Sequence, residues 1–589
     1  MRVAVAQFAT SVNTQENLAS CIRMINEAAR CKPSLIVLPE FCNTLPWYVD
    51  HNQAWNEALA TNSVFLKSIG QQAKKYACYI VLNVTLRRDS SRDFPNNKQD
   101  GTIKSNISIT SCIFSPLGEL IHQGDKQKLT ENENDFFISA SKVSKVLTTP
   151  FGKLGLLTGN DCLTFDASRE LALGGAQLLC HSMNSFALDQ SCLHGPARAC
   201  ENKVFLAQAN KVGSLMPQSQ SEIFSAQSAI PQEYLFGVGQ SQIVSPDGKV
   251  LAKMTKNEEG FVFADIDLTE CGINNKLRPD GTEIIKQFRP ELYQKPTHSL
   301  KKTADYEGSN RVPVTANVAI FATYKFNEQA IEDVCHYIDN NLSDIIQLPE
   351  LFFLSDKNIM NNSEQLTSVA SLSKQLISRV SSVLRPFQYV CTSLVLEGSH
   401  QAVIISEHGV FALQQQLHFC KRHKWTAIGD DLNIIELPLE QGNINVAMLT
   451  ADDANIPEIV NVAGLNNIHL LLVPFDIQEK CEVEYSLLSL AAENRICIVA
   501  ASRENSFAND LPTNNKKKME TNKSTGLIIN LTTDFALLPQ WKSRKFDGYI
   551  NQAIVKYQHG KITKALIHPI AASNKNISTK IFKSSLVES

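Results

Sequence analysis

Apolar and polar residues along the chain fall into rhythms that recur, in the same order, in its two halves. Val3–Phe8 alternate as a strand does, and Leu18, Ile22, Ile25 and Ala29 then recur at helical spacing. A continuous apolar run, Leu35–Leu38, follows and is closed by Pro39. The second half repeats this unit. A strand pattern at Asn317–Ala322 leads to a helix with Ile331, Val334, Cys335 and Ile338 on one face, then to the run Ile345–Leu348 closed by Pro349. Continuous apolar strands between amphipathic helices predict α/β domains whose sheets are covered on both faces.

The repetition extends to the residues themselves. Leu35–Phe41 (LIVLPEF) returns as Ile345–Phe352 (IIQLPELF), Gly155–Asp161 (GLLTGND) as Ala447–Asp453 (AMLTADD), and Ala199–Phe205 (ACENKVF) as Ala491–Cys497 (AAENRIC). One fold written twice is the expectation. The first domain spans residues 1–275, a polar arm and linker 276–312, a second copy 313–575, and a tail 576–589. Pro246–Gly248 reads as a hairpin turn, and the insertion 509–523, with Lys516–Lys518, as an exposed loop.

With 589 residues and 43% hydrophobic content, the chain can bury more than one core. A net charge of -3 gives no electrostatic reason to expect nucleic acid or an anionic membrane as partner. No apolar run approaches the roughly 18 residues of a membrane-spanning helix, and the first residues lack the features of a cleaved signal peptide. The 15 cysteines are scattered, without CxxC pairs or ligand-like His/Cys spacing. That usage fits a reducing cytoplasm with core thiols, and no metal or cofactor is expected. Glu40 and Glu350, each at the end of an apolar strand, are candidate bases.

Taken together, Val3–Phe8, Leu38–Phe41, Asp125–Thr130, Gly155–Asp161 with Gly174–Ala176, Glu201–Asn202 and Gly239–Ile243 resemble the nitrilase, or carbon–nitrogen hydrolase, superfamily. The second half resembles it more weakly, through Leu348–Glu350, Lys421–His423, Leu449–Asp453 and Glu493–Asn494. The resemblance implies tandem four-layer αββα sandwiches. It also implies a site in which a Glu is general base, a Lys holds the oxyanion, and a Cys attacks an amide or nitrile carbon to give a thioester. A thiol is mostly protonated at neutral pH and needs such a base; the oxyanion needs a positive charge or N–H groups aimed at it.

Carried over to this chain, Glu40 is the base. Lys126 is the cation, with Lys128 a rival two residues on, and Glu133 the supporting glutamate. The nucleophile departs from the pattern. Asp161 and Gly175–Ala176 fit without a gap, which puts Gly159 in the cysteine's position and Cys162 three residues later. Three residues displace a side chain by roughly 5–10 Å, whereas attack needs about 3–3.5 Å, so Cys162 serves only if the chain slips. Asn160 and Asn184, with Asp189 and His194, are candidates for orienting substrate. In the second copy Glu350 is kept, Lys421 fits the lysine, and Ala451 fills the cysteine's position, so that copy is read as catalytically dead.

Two functions follow from the resemblance. One is hydrolysis of a small amide, carbamoyl or nitrile substrate through Glu40, Lys126 and a displaced Cys162. The other is an inactive relative that binds a small ligand or scaffolds a partner. Members of the superfamily pair through the face bearing the nucleophile strand, so the second copy could serve as an intramolecular pseudo-dimer partner; a homo-oligomer is the other arrangement left open.

Overall fold

The computed structural model of the chain describes residues 1–88, 106–187, 189–228, 232–294, 311–323, 325–355, 363–505, 524–531, 550–556 and 563–573. The insertion at 509–523, residues 295–310 of the linker and the tail 576–589 lie outside the described residues. The described chain divides into two compact units, Met1–Lys276 and the residues from Leu277 onward.

The first unit holds two six-stranded sheets. One is built from β1 (Arg2–Gln7), β2 (Leu35–Val37), β3 (Tyr79–Arg87), β4 (Ile107–Phe114), β5 (Leu120–Asp125) and the late strand β12 (Gly260–Asp265), in the order β12-β1-β2-β3-β4-β5. The other uses β6 (Leu147–Thr149), β7 (Gly152–Thr158), β8 (Leu178–Ser182), β9 (Phe205–Ala209), β10 (Gln242–Val244) and β11 (Val250–Lys253), in the order β11-β10-β9-β8-β7-β6. β1, β2 and β3 run parallel, as do β7, β8 and β9.

Helices α1 (Thr14–Ala28) and α2 (Val64–Tyr76) cover the first sheet; α3 (Phe165–Leu173) and α4 (Gly195–Asn202) pack on the second. The alternation in β1 explains the layering. Val3 and Val5 enter the core between the sheets, with Leu154, Leu156, Leu178 and Ala207 of the facing sheet. Ala4 and Ala6 point the other way, against Cys21, Met24 and Ile25 of α1 and Phe65, Leu66 and Ile69 of α2. Each fully buried Val, Leu or Ile stabilises by roughly 1.5–3 kcal/mol, and a one-residue slip would exchange the faces of a whole strand. The register is therefore held by both cores at once. Asn13 starts α1 by accepting from the N–H groups of Gln15 and Glu16.

The second unit repeats this order. Its sheets are β24-β13-β14-β15-β16-β17 and β18-β19-β20-β21-β22-β23. In chain order these are β13 (Ala316–Ile320), β14 (Ile345–Gln347), β15 (Tyr389–Leu396), β16 (Ser399–Ser406), β17 (Gly409–Gln415), β18 (Ile434–Leu439), β19 (Gly442–Met448), β20 (Leu470–Pro474), β21 (Cys497–Asn505), β22 (Ser524–Leu531), β23 (Ile550–Lys556) and β24 (Thr563–Ile567). Helices α5 (Asn327–Asp339) and α6 (Ser363–Ser381) cover one sheet, α7 (Pro457–Leu465) and α8 (Leu487–Asn494) flank the other. Both α4 and α8 are entered through a π-helical turn, at Gln190–His194 and Glu482–Ser486. Mixed sheets sandwiched between helices make this an α/β fold of the four-layer kind.

Part of the expected arm is a fixed piece of the second unit. Arg289 donates to the carbonyls of Leu417 and Gly429, both at 2.7 Å, and pairs with Asp430, while Gln287 donates to Phe419 O at 2.7 Å. Polar composition suggested a linker; those polar groups instead satisfy backbone carbonyls in the segment that follows β17.

Helix α2 meets the β4–β5 hairpin at two glycines. A Cβ on Gly70 would lie 2.4 Å from Gly118 O, a backbone atom that cannot swing aside. Gly70→Ala should therefore lower the urea midpoint of the full chain. Overpacking costs about 1–3 kcal/mol and outweighs the gain of up to about 1 kcal/mol in helix propensity. An unchanged or raised midpoint would show that the hairpin yields.

Candidate active site

Glu40 follows β2 in a backbone held on two sides. Its N–H donates to Met183 O at 3.0 Å, and the next N–H, of Phe41, donates to Asn83 Oδ1 at 3.0 Å. Phe41 sits at φ 54°, a left-handed conformation that costs a bulky residue about 1–3 kcal/mol. The turn ends the strand and leaves the Glu40 carboxylate buried at the edge of the two sheets.

Lys126 comes immediately after β5, and its ammonium lies 2.8 Å from Glu40 Oε1 and 2.8 Å from Glu133 Oε1. Glu133 is positioned by a capping box. Its carboxylate accepts from Thr130 N, while Thr130 Oγ1 accepts from Glu133 N. Glu40, Lys126 and Glu133, all named from sequence, thus come together as one buried ion triad. Lys128 is elsewhere, paired with Asp166 at 2.8 Å.

β7 ends at Thr158 and passes into a tight turn, Gly159–Cys162. Gly159 has φ 49°, and a Cβ built on it would lie 2.6 Å from Lys126 Nζ and 2.8 and 2.9 Å from the two Glu40 oxygens. The backbone at residue 159 therefore points its missing side chain between the carboxylate and the ammonium. Cys162, buried, ends the same turn. Asp161 fixes the turn by accepting from the N–H groups of Gln127 and Lys128. Gly159 O lies 2.9 Å from His181 Nε2. The Thr158 hydroxyl is engaged in the interior, 2.9 Å from Ser111 Oγ.

Burial pushes the Glu40 carboxyl up to about 7, opposed by the Lys126 charge and assisted by Glu133. Burial alone would lower Lys126, but the Glu133 and Glu40 carboxylates hold it well above the usual lysine range. Asp161 is raised by burial to about 6 against the N–H of Lys128. His181 is lowered by burial to about 4, which leaves a neutral imidazole at neutral pH.

The expected substrate-orienting residues spread out. Asn160 Oδ1 accepts from Gln190 Nε2 at 3.3 Å. Asn184 follows Met183, whose carbonyl holds Glu40, and its Oδ1 is buried without a hydrogen-bond partner. His194 Nε2 lies 4.0 Å from Asp189 Oδ2. Sequence reasoning missed Lys211, which is fully buried with its Nζ 5.7 Å from the Phe41 ring centre, where Lys126 Nζ stands at 5.9 Å. Its signal was present in the chain, since Asn210-Lys211-Val-Gly follows an apolar strand; nothing in that pattern marks the ammonium as buried.

In the second unit, Glu350 is held in the same way. Its N–H donates to Phe475 O at 3.2 Å, and Leu351, at φ 43°, donates to Ser393 Oγ at 3.1 Å. The cation differs from expectation. Lys421 turns away and donates to Gly281 O at 2.6 Å. The residue that follows β17 as Lys126 follows β5 is Gln416, and Arg422 instead reaches Glu350 with two contacts of 2.6 and 3.0 Å. Without a lysine at that position, the search by sequence moved to the next basic cluster and took the wrong member of it.

Arg422 also bonds Asp452 at 2.6 Å and Asp476 at 2.7 Å. These carboxylates hold it above its ordinary range although burial opposes that. Ala451 stands where Gly159 stands in the first unit, at the end of the strand that pairs in the same register. Donor atoms of Glu350, His400 and His423 lie within 4.8 Å of one another, as do those of Cys420, His423 and Asp452, so either set could hold a metal ion. Arg422 already binds the carboxylates of both sets, and it neutralises them without one.

Residues 2–273 match the model of the carbon–nitrogen hydrolase family. A probable nitrilase of Schizosaccharomyces pombe is 27% identical over 299 residues, 50% of this chain and 97% of that one. A nitrilase of Pyrococcus abyssi is 26% identical over 298 residues, 50% of this chain and 99% of its own. An omega-amidase of Xenopus tropicalis is 26% identical over 307 residues, 50% and 96%. Among solved structures, an amidase from Nesterenkonia sp. aligns with a TM-score of 0.35 and 22% identity, over 45% of this chain and 90% of that one. No helix among the described residues is long and apolar enough to cross a membrane.

Two outcomes are expected here. A carboxyl raised on folding contributes stability at pH below its unfolded value and loses it as pH rises through the folded one. For Glu40 that window runs from its ordinary 4.5 to about 7. The thermal midpoint of Glu40→Gln relative to wild type should therefore climb between pH 5 and 7.5; a constant difference would mean that Glu40 is not raised. In the second unit, Arg422→Met strands buried carboxylates and should cost about 3–5 kcal/mol in denaturant unfolding. A loss within about 1 kcal/mol, as for an exposed pair, would contradict the buried network.

Proposed function

We propose that the first unit is a nitrilase-type amide site that has lost the family's nucleophile. It binds a small amide, or the matching acid, at Glu40 and Lys126 without forming a thioester. The observation that carries this reading is the position of Gly159. Its absent side chain points between base and cation, where an attacking sulfur would be flanked by the group that deprotonates it and the group that stabilises the oxyanion. The matches to an omega-amidase and to nitrilases support an amide or nitrile as the ligand class.

The second unit, on this reading, is a degenerate copy of the same domain. Arg422 bridges three carboxylates there and Ala451 carries no nucleophile, so it contributes structure rather than chemistry.

One observation favours a hydrolase. Residues three apart in a tight 3₁₀ turn share a face and differ in height by about 6 Å, and Cys162 is three residues after Gly159 in such a turn. Only a local slip of that turn by its three residues would carry the Cys162 sulfur to Glu40. The two readings separate in one assay on the full chain, with a panel of small aliphatic amides, ammonia release as one readout and intact mass as the other. Binding without ammonia and without an acyl adduct is the expected result. Ammonia release that disappears in Cys162→Ser would replace this reading with the displaced-thiol hydrolase.

A further inference from the structure

The second unit keeps the buried glutamate but not the lysine, and the residues around that position are of another chemical kind. Asp161 accepts from the N–H groups of Gln127 and Lys128, and Asp453 from those of Leu417 and His418. Gln416 therefore stands where Lys126 stands. His423, seven residues after it, stands where Glu133 follows Lys126 by seven. An ammonium beside a carboxylate has become an uncharged amide beside an imidazole.

The Gln416 amide is held in one orientation. Its Nε2 donates to His418 O at 2.7 Å and reaches Cys420 Sγ at 3.4 Å. Its Oε1 has to accept, and it lies 2.8 Å from His400 Nδ1 and 3.3 Å from His423 Nδ1. The neutral rings are thereby fixed with the proton on Nδ1, so Nε2 is the nitrogen of His423 that carries a lone pair. Cys420 and His423 come from one tight turn, Lys421–His423, in which His423 N donates to Cys420 O at 3.3 Å. Asp452 joins them from the helical turn Ala451–Ala454 after β19. One donor atom from each of Cys420, His423 and Asp452 lies within 4.8 Å of the other two, and all three residues are buried. Arg422 contacts Asp452 through Oδ2 alone, at 2.9 and 2.6 Å. Burial opposes ionisation of Asp452, yet Arg422, His423 and Arg278 together hold its carboxyl well below the ordinary range.

We propose that Cys420, His423 and Asp452 form a structural zinc site in the second unit. The sulfur selects the metal. Thiolate, imidazole and carboxylate together suit Zn2+, whereas Mg2+ and Ca2+ take oxygen ligands. On binding, the Cys420 S–H gives its proton to solvent and a S–Zn bond forms, with no change of oxidation state. Ligands about 2.0–2.3 Å from a tetrahedral zinc stand roughly 3.3–3.8 Å apart, so the three donors close in by roughly 1–1.5 Å at most. Glu350 borders the fourth position, with its Oε2 4.0 Å from His423 Nε2. Gln416 then orients the cysteine and the histidine at once, as a residue behind a metal ligand does. Arg422 accounts for the carboxylates; the ion accounts for the sulfur and the imidazole placed beside them. This site is independent of the amide reading of the first unit.

The test uses the full chain, stripped of metal with a chelator and titrated with Co2+ and with Zn2+. Wild type should take up one Co2+ and develop a thiolate-to-cobalt charge-transfer band in the near ultraviolet. Zn2+ should abolish that band and raise the thermal midpoint. Cys420→Ser should lose the band, and Gln416→Leu should weaken Co2+ binding by about 10–100-fold. X-ray absorption at the zinc edge of the wild-type complex reads the ligands without any variant, and a single sulfur at about 2.3 Å among lighter ligands is expected. Absence of stoichiometric uptake, a band that survives in Cys420→Ser, or a zinc shell without sulfur overturns the site.

Discussion

A buried ammonium shared by two buried carboxylates is the constraint around which the first unit is arranged. Lys126 reaches Glu40 and Glu133 at 2.8 Å each, and none of the three is exposed enough for water to replace a lost partner. Such a triad is tolerable only when every lone pair and proton is placed. The surrounding structure does that placing. The left-handed turn at Phe41 aims Glu40, the capping box at Thr130 aims Glu133, and the end of β5 delivers Lys126. The backbone of the turn at Gly159 closes the fourth side.

On the proposed reading, that fourth side is where the first unit departs from the nitrilases and amidases it resembles. A side chain at 159 would be within 3 Å of both charges, so the triad and a nucleophile there cannot coexist without movement of Lys126 or Glu40. Both are the far ends of flexible side chains, and small shifts would make room. On the proposed reading, the framework of an acyl-transfer site is kept while its reacting atom is absent. The second unit shows another resolution of the same problem. With Gln416 in place of the lysine, Arg422 enters from a later loop and ties Glu350 to Asp452 and Asp476, which leaves a closed salt-bridge network.

The fold was legible in the chain because its signals are redundant. Short apolar runs alternate with amphipathic helices and the series occurs twice, so an α/β fold followed from periodicity, and its four layers from the family resemblance. Glu40 was legible as the residue that closes an apolar strand, whereas Lys126 and Glu133 were legible only through the family resemblance. The misplacement of Lys421 shows where this fails. Three basic residues in a row have equal sequence signals, and only the burial of Glu350 selects Arg422 among them. Lys211 was invisible for the opposite reason, because an isolated lysine after a strand is usually solvated. The closeness of Glu350, His400 and His423 was also beyond reach, since residues far apart in sequence meet only through the pairing of β14, β15 and β16.

The central claim is that the first unit lacks only a sulfur at position 159. It is tested most directly by Gly159→Cys in the full chain, with iodoacetamide labelling followed by peptide mass analysis at pH 7. The account expects rapid alkylation at residue 159 that falls sharply when Glu40→Gln is added, and slow alkylation at residue 162 throughout. An inert thiol at 159, or rapid Glu40-dependent alkylation of Cys162 in the unaltered protein, would contradict it.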